Sequence, residues 1–309
     1  MHGFRFALQA SQLHDPKSWR DLAKKAESVG ISTLFLPDHF GEQLAPLVAL
    51  TVAQEVTTTL KVGTLVLGND YRHPVVVARE LATLDIMSQG RLEAGIGAGW
   101  MKSDYDQSGI VYDEPKVRVE RFQESIEVMK MIWSGEVTTF EGKHYQLSQA
   151  TGSPKPYTQP HPTLLIGGGS RRVLSIAARE AQIVGINPNL ASGVIGPEVI
   201  ASSSAQNVDK RIEWVKLAAG ERFDEIELQS LSFFATISDN GREVRQNLSS
   251  ALGFSEQEVE ESPSALIGSK AEIIEKLYSS RERWGFTYWV IHEPELDDFQ
   301  PIIAELDGK

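Results

Sequence analysis

The chain has 309 residues, a length that one α/β barrel commonly fills. Its 42 acidic and 30 basic residues leave a formal net charge of -12, which repels nucleic acid and anionic lipid, so we expect neither as the main partner. The absence of cysteine excludes disulfides, zinc thiolates, iron–sulfur clusters and cysteine nucleophiles. The first residues do not form a signal peptide and no apolar run approaches membrane-spanning length, so we expect a soluble, cytoplasmic protein.

The chain opens with repeated strand–helix units. Phe4 to Ala10 and Thr33 to Leu36 are predicted strands, separated by a helix whose apolar stripe ends at Gly30. The second strand stops at residues 37 to 40, Pro-Asp-His-Phe, and a helix is predicted from Leu47 to Val56.

A central strand–helix–strand unit follows. Leu60 to Leu67 is predicted to be a buried parallel strand. Pro74 suits the first position of the next helix, which Gly90 closes. Leu92 to Ile96 is the next strand, and it runs into Gly97-Ala98-Gly99, where missing side chains predict close approach of a ligand to the backbone.

The rest of the chain repeats this pattern with additions. Residues 101 to 115 are predicted to be a polar lid loop, Val137 to Leu147 a hairpin, 187 to 204 a mobile loop, and 255 to 264 an acidic surface insertion. The remaining predicted strands are Thr163 to Ile166, Ile183 to Ile186, Ile226 to Ile237 and Tyr288 to His292. Eight strands alternating with helices favour a single-domain (β/α)8 TIM barrel over residues 1–309, with insertions after the fourth and seventh strands, rather than a doubly wound sheet.

Function in such a barrel is expected at the carboxyl ends of the strands. Asp38 and His39 follow the second strand; an imidazole can exchange a proton near neutral pH, and a neighbouring carboxylate can orient it or hold a cofactor. The alternative is a helix cap and a packed ring. Leu65 to Gly68 can wall a flat ring or simply fill the core. Gly97 to Gly99 lacks the further glycine of a dinucleotide fingerprint.

A fourth place is the glycine run Gly167-Gly168-Gly169 with Ser170, followed by Arg171 and Arg172. Exposed amides at a helix start bind anions and the arginines add positive charge, so a phosphate is the expected ligand. An ordinary glycine turn is the alternative.

Several chemistries are disfavoured by missing motifs. The 7 histidines show no His-x-His or His-x-x-x-His spacing, so we expect no metal site. There is no Gly-x-Ser-x-Gly elbow. A Schiff-base enzyme needs a lysine inside a core strand, and only Lys61, at the start of a predicted strand, comes near such a position.

The segments FLPDHF, RHP, ATLD, SQGR, GIGAG and LLIGGGSRRVLSIAARE resemble the luciferase-like monooxygenase superfamily, and most of all its branch that uses the deazaflavin coenzyme F420. The resemblance is specific within residues 32 to 187. It implies a TIM barrel, a flavin or deazaflavin laid across the strand ends, and oxidoreductase chemistry.

The resemblance also implies roles for individual residues. His39 matches the acid–base histidine, Asp38 a residue that contacts the deazaflavin, and Leu65-Val66 a non-prolyl cis peptide behind the ring. The positions matching cofactor-lining residues are Gly68, Ala98 and Gly99, and those matching the phosphate end are Gly169, Ser170, Arg172 and Val173, beside Gly168. Trp100 and Asn187 are expected to face the substrate. Related sugar-phosphate dehydrogenases carry an acidic residue where Trp100 stands, which argues against that substrate.

The sequence therefore predicts an F420-dependent oxidoreductase that passes a hydride between the cofactor's C5 and a small, rather apolar organic substrate. An FMN-dependent luciferase-like monooxygenase is one alternative, and a non-catalytic flavin- or deazaflavin-binding protein is another. Members of this superfamily resemble one another in pairing through helices near the central unit, so we expect a homodimer to which Val76, Ile86 and Met87 contribute apolar surface.

Overall fold

The computed structural model describes residues 2–194 and 196–309. Its strands are β1 (Arg5–Gln9), β2 (Thr33–Leu36), β3 (Lys61–Thr64), β4 (Leu67–Gly68), β5 (Leu92–Gly97), β6 (Val137–Glu141), β7 (Gln146–Thr151), β8 (Thr163–Gly168), β9 (Ile183–Ile186), β10 (Glu227–Leu231), β11 (Phe234–Ile237), β12 (Ala265–Gly268) and β13 (Phe286–His292). Its α-helices are α1 (Pro16–Ser28), α2 (Pro46–Glu55), α3 (Pro74–Met87), α4 (Lys102–Ser108), α5 (Pro115–Trp133), α6 (Arg171–Glu180), α7 (Pro197–Ala201), α8 (Ala205–Ala219), α9 (Gly241–Leu252), α10 (Glu256–Glu261), α11 (Lys270–Trp284) and α12 (Leu296–Leu306).

Eight of these strands form a closed parallel barrel. They pair in the order β1, β2, β3, β5, β8, β9, β10 and β13, and β13 returns to pair with β1. Helices follow the strands around the outside, so the predicted (β/α)8 TIM barrel is confirmed. All barrel strands run the same way, which gathers their carboxyl ends at one face of the molecule.

The opposite, amino-terminal end of the barrel interior is filled by an ion network. The Glu93 side chain is fully buried; it lies 2.7 Å from the Arg5 guanidinium and accepts a hydrogen bond from the Tyr288 hydroxyl at 2.7 Å. Burial alone would raise the pKa of Glu93, but the positive charges of Arg5 and Lys61 hold it below its usual value. These groups satisfy one another, so the buried charge of Glu93 is compensated within the barrel.

Local sequence signals set several element ends. Helix α6 spans the predicted residues because it has a buried stripe that includes Leu174, Ala177 and Ala178, and because the Ser170 hydroxyl accepts a hydrogen bond from the Val173 amide at its start. Helix α3 begins at Pro74, as predicted.

Two predicted strands are wrong in their extent. The strand predicted from Leu60 to Leu67 is divided, because β3 ends at Thr64 and β4 resumes only at Leu67. The strand predicted from Ile226 to Ile237 is also divided: β10 belongs to the barrel, whereas β11 pairs with β12 in a separate two-stranded parallel sheet. The chain leaves the barrel at Phe233, whose amide donates to the Ser264 carbonyl at 2.8 Å.

The additions contain more helix than the sequence indicated. The antiparallel hairpin of β6 and β7 is confirmed. The predicted lid loop instead contains α4, the acidic insertion contains α10, and the loop predicted over residues 187 to 204 contains α7. Part of that last prediction, Ile195, lies outside the described residues. Helix α12, which follows β13 and contains Pro301, was not predicted. No helix within the described ranges is long and apolar enough to cross a membrane.

Candidate active site

A cavity of about 650 Å³ opens at the carboxyl ends of the barrel strands. Its volume lies within the range of roughly 300–1,000 Å³ typical of small-molecule sites. All eight barrel strands contribute a residue at or just beyond their ends: Gln9, Pro37, Leu65, Gly97, Gly167, Asn187, Leu231 and His292. The cavity is therefore the place where the strands meet.

The structure brings nearly all of the predicted site residues to this cavity. Those that line it are Asp38, His39, Leu65, Val66, Gly68, Ala98, Gly99, Trp100, Gly168, Gly169, Ser170, Val173 and Asn187. The peptide bond between Leu65 and Val66 is cis, as the resemblance implies. Arg172 is not among the lining residues.

His39 is held in place by a carboxylate that the sequence analysis missed. Its Nδ1 lies 2.7 Å from Oδ2 of Asp104, a side chain in α4 that is 2% exposed. Because a carboxylate only accepts, Nδ1 carries the proton of a neutral ring and Nε2 remains the free nitrogen. The ring of Trp100 meets the imidazole edge-on, with the ring centroids 5.7 Å apart. The arrangement fixes the orientation and the tautomer of His39.

Two tyrosines fix the segment that carries Asp104. The Tyr71 hydroxyl donates to Asp104 at 3.2 Å, and the Tyr105 hydroxyl donates to Asp70 at 2.9 Å. Burial, followed by the charge of the nearby carboxylate, raises the pKa of both tyrosines, so they keep their protons and act as donors. Arg121 adds a bidentate contact to Asp70 at 2.8 Å.

Asp38 is engaged by the protein itself. Its carboxylate accepts hydrogen bonds from Arg72 at 2.5 and 3.1 Å and from the Gly68 amide at 3.1 Å. These contacts tie the end of β2 to β4 and to the segment that follows it. A cofactor contact by Asp38 therefore has to use the lone pairs that these donors leave free.

Gly97 and Gly99 are required by packing within the protein, whereas the sequence predicted that they let a ligand approach the backbone. A Cβ atom added at Gly97 would lie 2.7 Å from the Val66 side chain, and one added at Gly99, whose φ is +73°, would meet the Tyr105 hydroxyl. The space that these glycines leave is thus occupied by other side chains of this protein. Their backbone still lines the cavity beside Ala98.

The two arginines near the predicted phosphate end differ in position. Arg172 is 45% exposed in its side chain and lies 3.6 Å from Glu120, so the expected placement beside the cavity is not seen. Arg118, at the start of α5, lines the cavity instead and is 3% exposed. Its hydrogen bonds go to the carbonyls of Gly99 and Asp113 and to the Tyr112 hydroxyl, and no carboxylate pairs with it among the described residues.

Two polar residues on neighbouring strands were also missed. Gln9 and His292 are register partners in β1 and β13, and both line the cavity. Oε1 of Gln9 is buried without a hydrogen-bond partner in the described part of the chain, which suits a donor on a bound molecule. Burial lowers the pKa of His292, which favours its neutral form. The only sequence signal for either residue was its place at a strand end.

The cavity therefore offers an oriented acid–base histidine, apolar side chains, a glycine run before a helix and one buried cation. Within residues 2–194 and 196–309, no three His, Asp or Glu side chains lie close enough to hold a metal ion. The arrangement suits an organic cofactor and substrate whose reaction moves a proton.

Comparisons with known proteins agree with this arrangement. An F420-dependent glucose-6-phosphate dehydrogenase of Amycolatopsis mediterranei (strain U-32) is 29% identical over 253 residues, 76% of this chain and 74% of that protein. An FMNH(2)-dependent dimethylsulfone monooxygenase of Pseudomonas putida is 32% identical over 138 residues, 45% of this chain and 38% of that protein.

The fold is shared with solved structures. A coenzyme F420-dependent tetrahydromethanopterin reductase from Methanopyrus kandleri superposes with a TM-score of 0.77 at 18% identity, over 99% of this chain and 98% of that one. A family model described as luciferase-like monooxygenase matches residues 2–288. With a match over nearly all of the barrel and a cavity at its carboxyl face, the chain belongs to the luciferase-like monooxygenase family.

Proposed function

We propose that this chain is an F420-dependent oxidoreductase that moves a hydride between C5 of the deazaflavin and a small organic substrate, with His39 handling the accompanying proton. The observation that carries the proposal is the His39–Asp104 pair, which lies at the cavity wall beside Trp100. The relative that covers three quarters of the chain uses the same cofactor, as its name states.

The residues of the cavity fit a flat cofactor with a phosphate arm. Leu65 and Val66 offer an apolar wall for one ring face, and the unpartnered Gln9 Oε1 can accept from a ring N–H. Gly169 and Ser170 stand at the start of α6, where the helix dipole favours a negative group. When bound, the deazaflavin supplies the hydride acceptor or donor.

His39 serves the substrate oxygen in this proposal. In the direction of oxidation, the O–H bond of the substrate alcohol breaks and its proton goes to Nε2 of His39. The C–H bond of the carbon that bears this hydroxyl also breaks, its hydride would be taken up by the bound deazaflavin, and the C–O bond becomes a carbonyl. The Asp104 carboxylate then stabilises the positive imidazolium. In the reverse direction His39 returns this proton. Trp100 and Asn187, which line the cavity, bound the substrate position.

A titration with each cofactor tests the choice between F420 and FMN. The absorbance and fluorescence of F420 and of FMN are followed separately as the protein is added. We expect saturable F420 binding and weaker FMN binding. Tight FMN binding with no F420 response would instead favour the oxygen-activating alternative, which the Pseudomonas putida relative represents. If the protein binds F420 but transfers no hydride with any alcohol or carbonyl compound in a test panel, the alternative of a non-catalytic cofactor-binding protein would be favoured.

The proposal includes a homodimer. Val76, Ile86 and Met87 of α3 are 48%, 37% and 58% exposed, and Val48 of α2 is 72% exposed. Apolar side chains grouped on adjacent helices are typical of an interface between copies. Light scattering at micromolar concentration is expected to give twice the chain mass, and a monomeric mass would contradict this part of the proposal.

A further inference from the structure

One end of the cavity is built by the residues that follow β10, and its character differs from that of the His39 end. We call it the apolar lobe and define it by Phe233, Phe234, Leu248, Leu252, Phe254 and Val259, all of which line the cavity. These side chains come from the residue before β11, from β11, from α9, from the turn after α9 and from α10. Five of the six are partly exposed and Val259 is 5% exposed, so apolar surface faces the cavity.

The lobe is supported by a small core of its own. Val259, Ala265 and Ile267 form a buried cluster separate from the barrel core, with Phe234 and Leu248 packed against it. The apolar side chains are therefore anchored on one side by α9, α10 and the β11–β12 sheet, and are free on the side of the cavity. Because these side chains pack on their own small core and not against the barrel, part of their apolar surface remains exposed to the cavity.

No basic side chain of the described residues lines the lobe. Glu258 is the one acidic side chain lining this end, and its carboxylate accepts from the Ser255 amide and hydroxyl, both at 2.8 Å, as a helix cap. Arg245, in α9, donates to the Ile267 carbonyl at 2.9 Å and does not line the cavity. Among the described lining residues the only Lys or Arg is Arg118, near Gly99. A phosphate group in the lobe would find no cation.

We propose that the apolar lobe binds a hydrocarbon chain or ring carried by the substrate, so that the substrate class is an alcohol, or its carbonyl product, with an extended apolar group. This inference rests on the proposed function for the reacting end, where His39 handles the proton. The lobe is continuous with that end in one cavity of about 650 Å³. The phosphate end of a cofactor is excluded from the lobe by the cost of burying an unpaired charge.

Chain length is the first test. Straight-chain secondary alcohols from butan-2-ol to decan-2-ol are oxidised by the F420-loaded protein, and kcat/KM is compared with that for glucose 6-phosphate. Burying a methylene group is worth a factor of roughly four, so kcat/KM is expected to rise by about that factor per added carbon until the lobe is filled. Equal values along the series, or a preference for glucose 6-phosphate, would overturn the inference.

A binding measurement separates the lobe from the proposed chemistry. Straight-chain primary amides from butanamide to decanamide, which do not accept a hydride, are titrated by calorimetry into the F420-loaded protein. Affinity is expected to rise with chain length. If amide affinity rises with chain length but no alcohol is oxidised, the proposed function is wrong and the inference about the lobe stands. If alcohols are oxidised but neither series depends on chain length, the proposed function stands and the inference about the lobe is wrong.

A matched pair of variants locates the effect. Leu252→Asn adds a polar group in the lobe, and Leu217→Asn makes the same change on α8 at a side chain that is 75% exposed. The length dependence is expected to flatten in the first variant and to persist in the second. An equal response of the two variants would place the chain elsewhere. If Leu252→Asn does not fold, the amide series on the unmodified protein decides the question.

Discussion

Two excursions rise above the carboxyl ends of the strands and build opposite kinds of wall. The first, residues 100–114 with α4, places the buried Asp104 carboxylate behind His39. The second, residues 232–268 with α9 and α10, turns apolar side chains such as Phe254 toward the same cavity. The first was predicted to be a polar lid loop, and residues 255 to 264 of the second were predicted to be an acidic surface insertion. The amino-acid composition of each excursion therefore reflects its solvent-exposed face, whereas its contribution to the site depends on the few side chains that face the cavity.

The largest effect is expected at His39, which the first excursion orients through Asp104. His39→Ala should lower kcat roughly 10²- to 10⁴-fold, because the proton loses its acceptor, while cofactor affinity changes little. The readouts are steady-state turnover and a fluorescence titration with F420. His2→Ala, at an exposed histidine, is the control. A larger loss in His292→Ala than in His39→Ala would move the proton step to the end of β13.

The next effect tests whether the first excursion orients the histidine. Asp104→Asn keeps the shape but removes the charge, and a hydrogen bond to a charged group is worth about 1.5–3 kcal/mol. We therefore expect kcat to fall roughly 10- to 100-fold with KM nearly unchanged, and Asp104→Glu to recover part of the loss. Turnover is measured as for His39.

The matched control for this variant is Asp106→Asn in the same helix. Asp106 is 60% exposed and pairs with Lys102 at 2.6 Å on the surface, so its loss is expected to cost little. Equal losses in the two variants would show that α4 acts through its stability rather than through His39.

The sequence predicted the barrel well and the site in part. Strand β9 and helix α6 were predicted to the residue because their signals are local: a short apolar run in the first, a stripe and a capping serine in the second. The strand-end rule selected Asp38 and His39, which line the cavity, for the same reason. Asp104 is 65 residues from its partner His39, and no local pattern reports a contact across that distance.

The apolar lobe was missed for a related reason. Residues 255 to 264 carry four glutamates, and their hydrophilicity hid Val259, which is 5% exposed. The direction in which a helical side chain points depends on how the helix packs, and tertiary packing is absent from a linear pattern.

A stability measurement sharpens the division between the two excursions. Val259→Ala removes buried hydrocarbon from the small core under the lobe, and we expect a loss of about 1–2 kcal/mol in the free energy of unfolding. Urea unfolding measures it. Val111→Ala, in the first excursion and 71% exposed, should be nearly neutral. Turnover of the shortest alcohol is expected to persist in Val259→Ala. A loss of turnover as large as that of Asp104→Asn would mean that the second excursion also supports the proton step and not only the lobe.

The smallest effect is expected at Arg172. The sequence favoured a direct contact with the cofactor's phosphate and hence a weakening of roughly ten- to a hundredfold on removal, but the guanidinium is 45% exposed and lies 3.6 Å from Glu120, outside the cavity lining. An exposed charge of this kind is worth about 0.2–1 kcal/mol.

Arg172→Ala should therefore weaken F420 binding by at most roughly fivefold, and the difference should vanish in high salt because mobile ions screen it. The measurement is F420 affinity across a salt series. Arg171→Ala changes the net charge equally at the next exposed position of α6, so similar losses in the two variants indicate a general field at the helix start. A hundredfold loss confined to Arg172→Ala and retained in salt would show that the guanidinium leaves Glu120 and binds the phosphate directly, and the phosphate end would then extend from Ser170 beyond the cavity to the outer turn of α6.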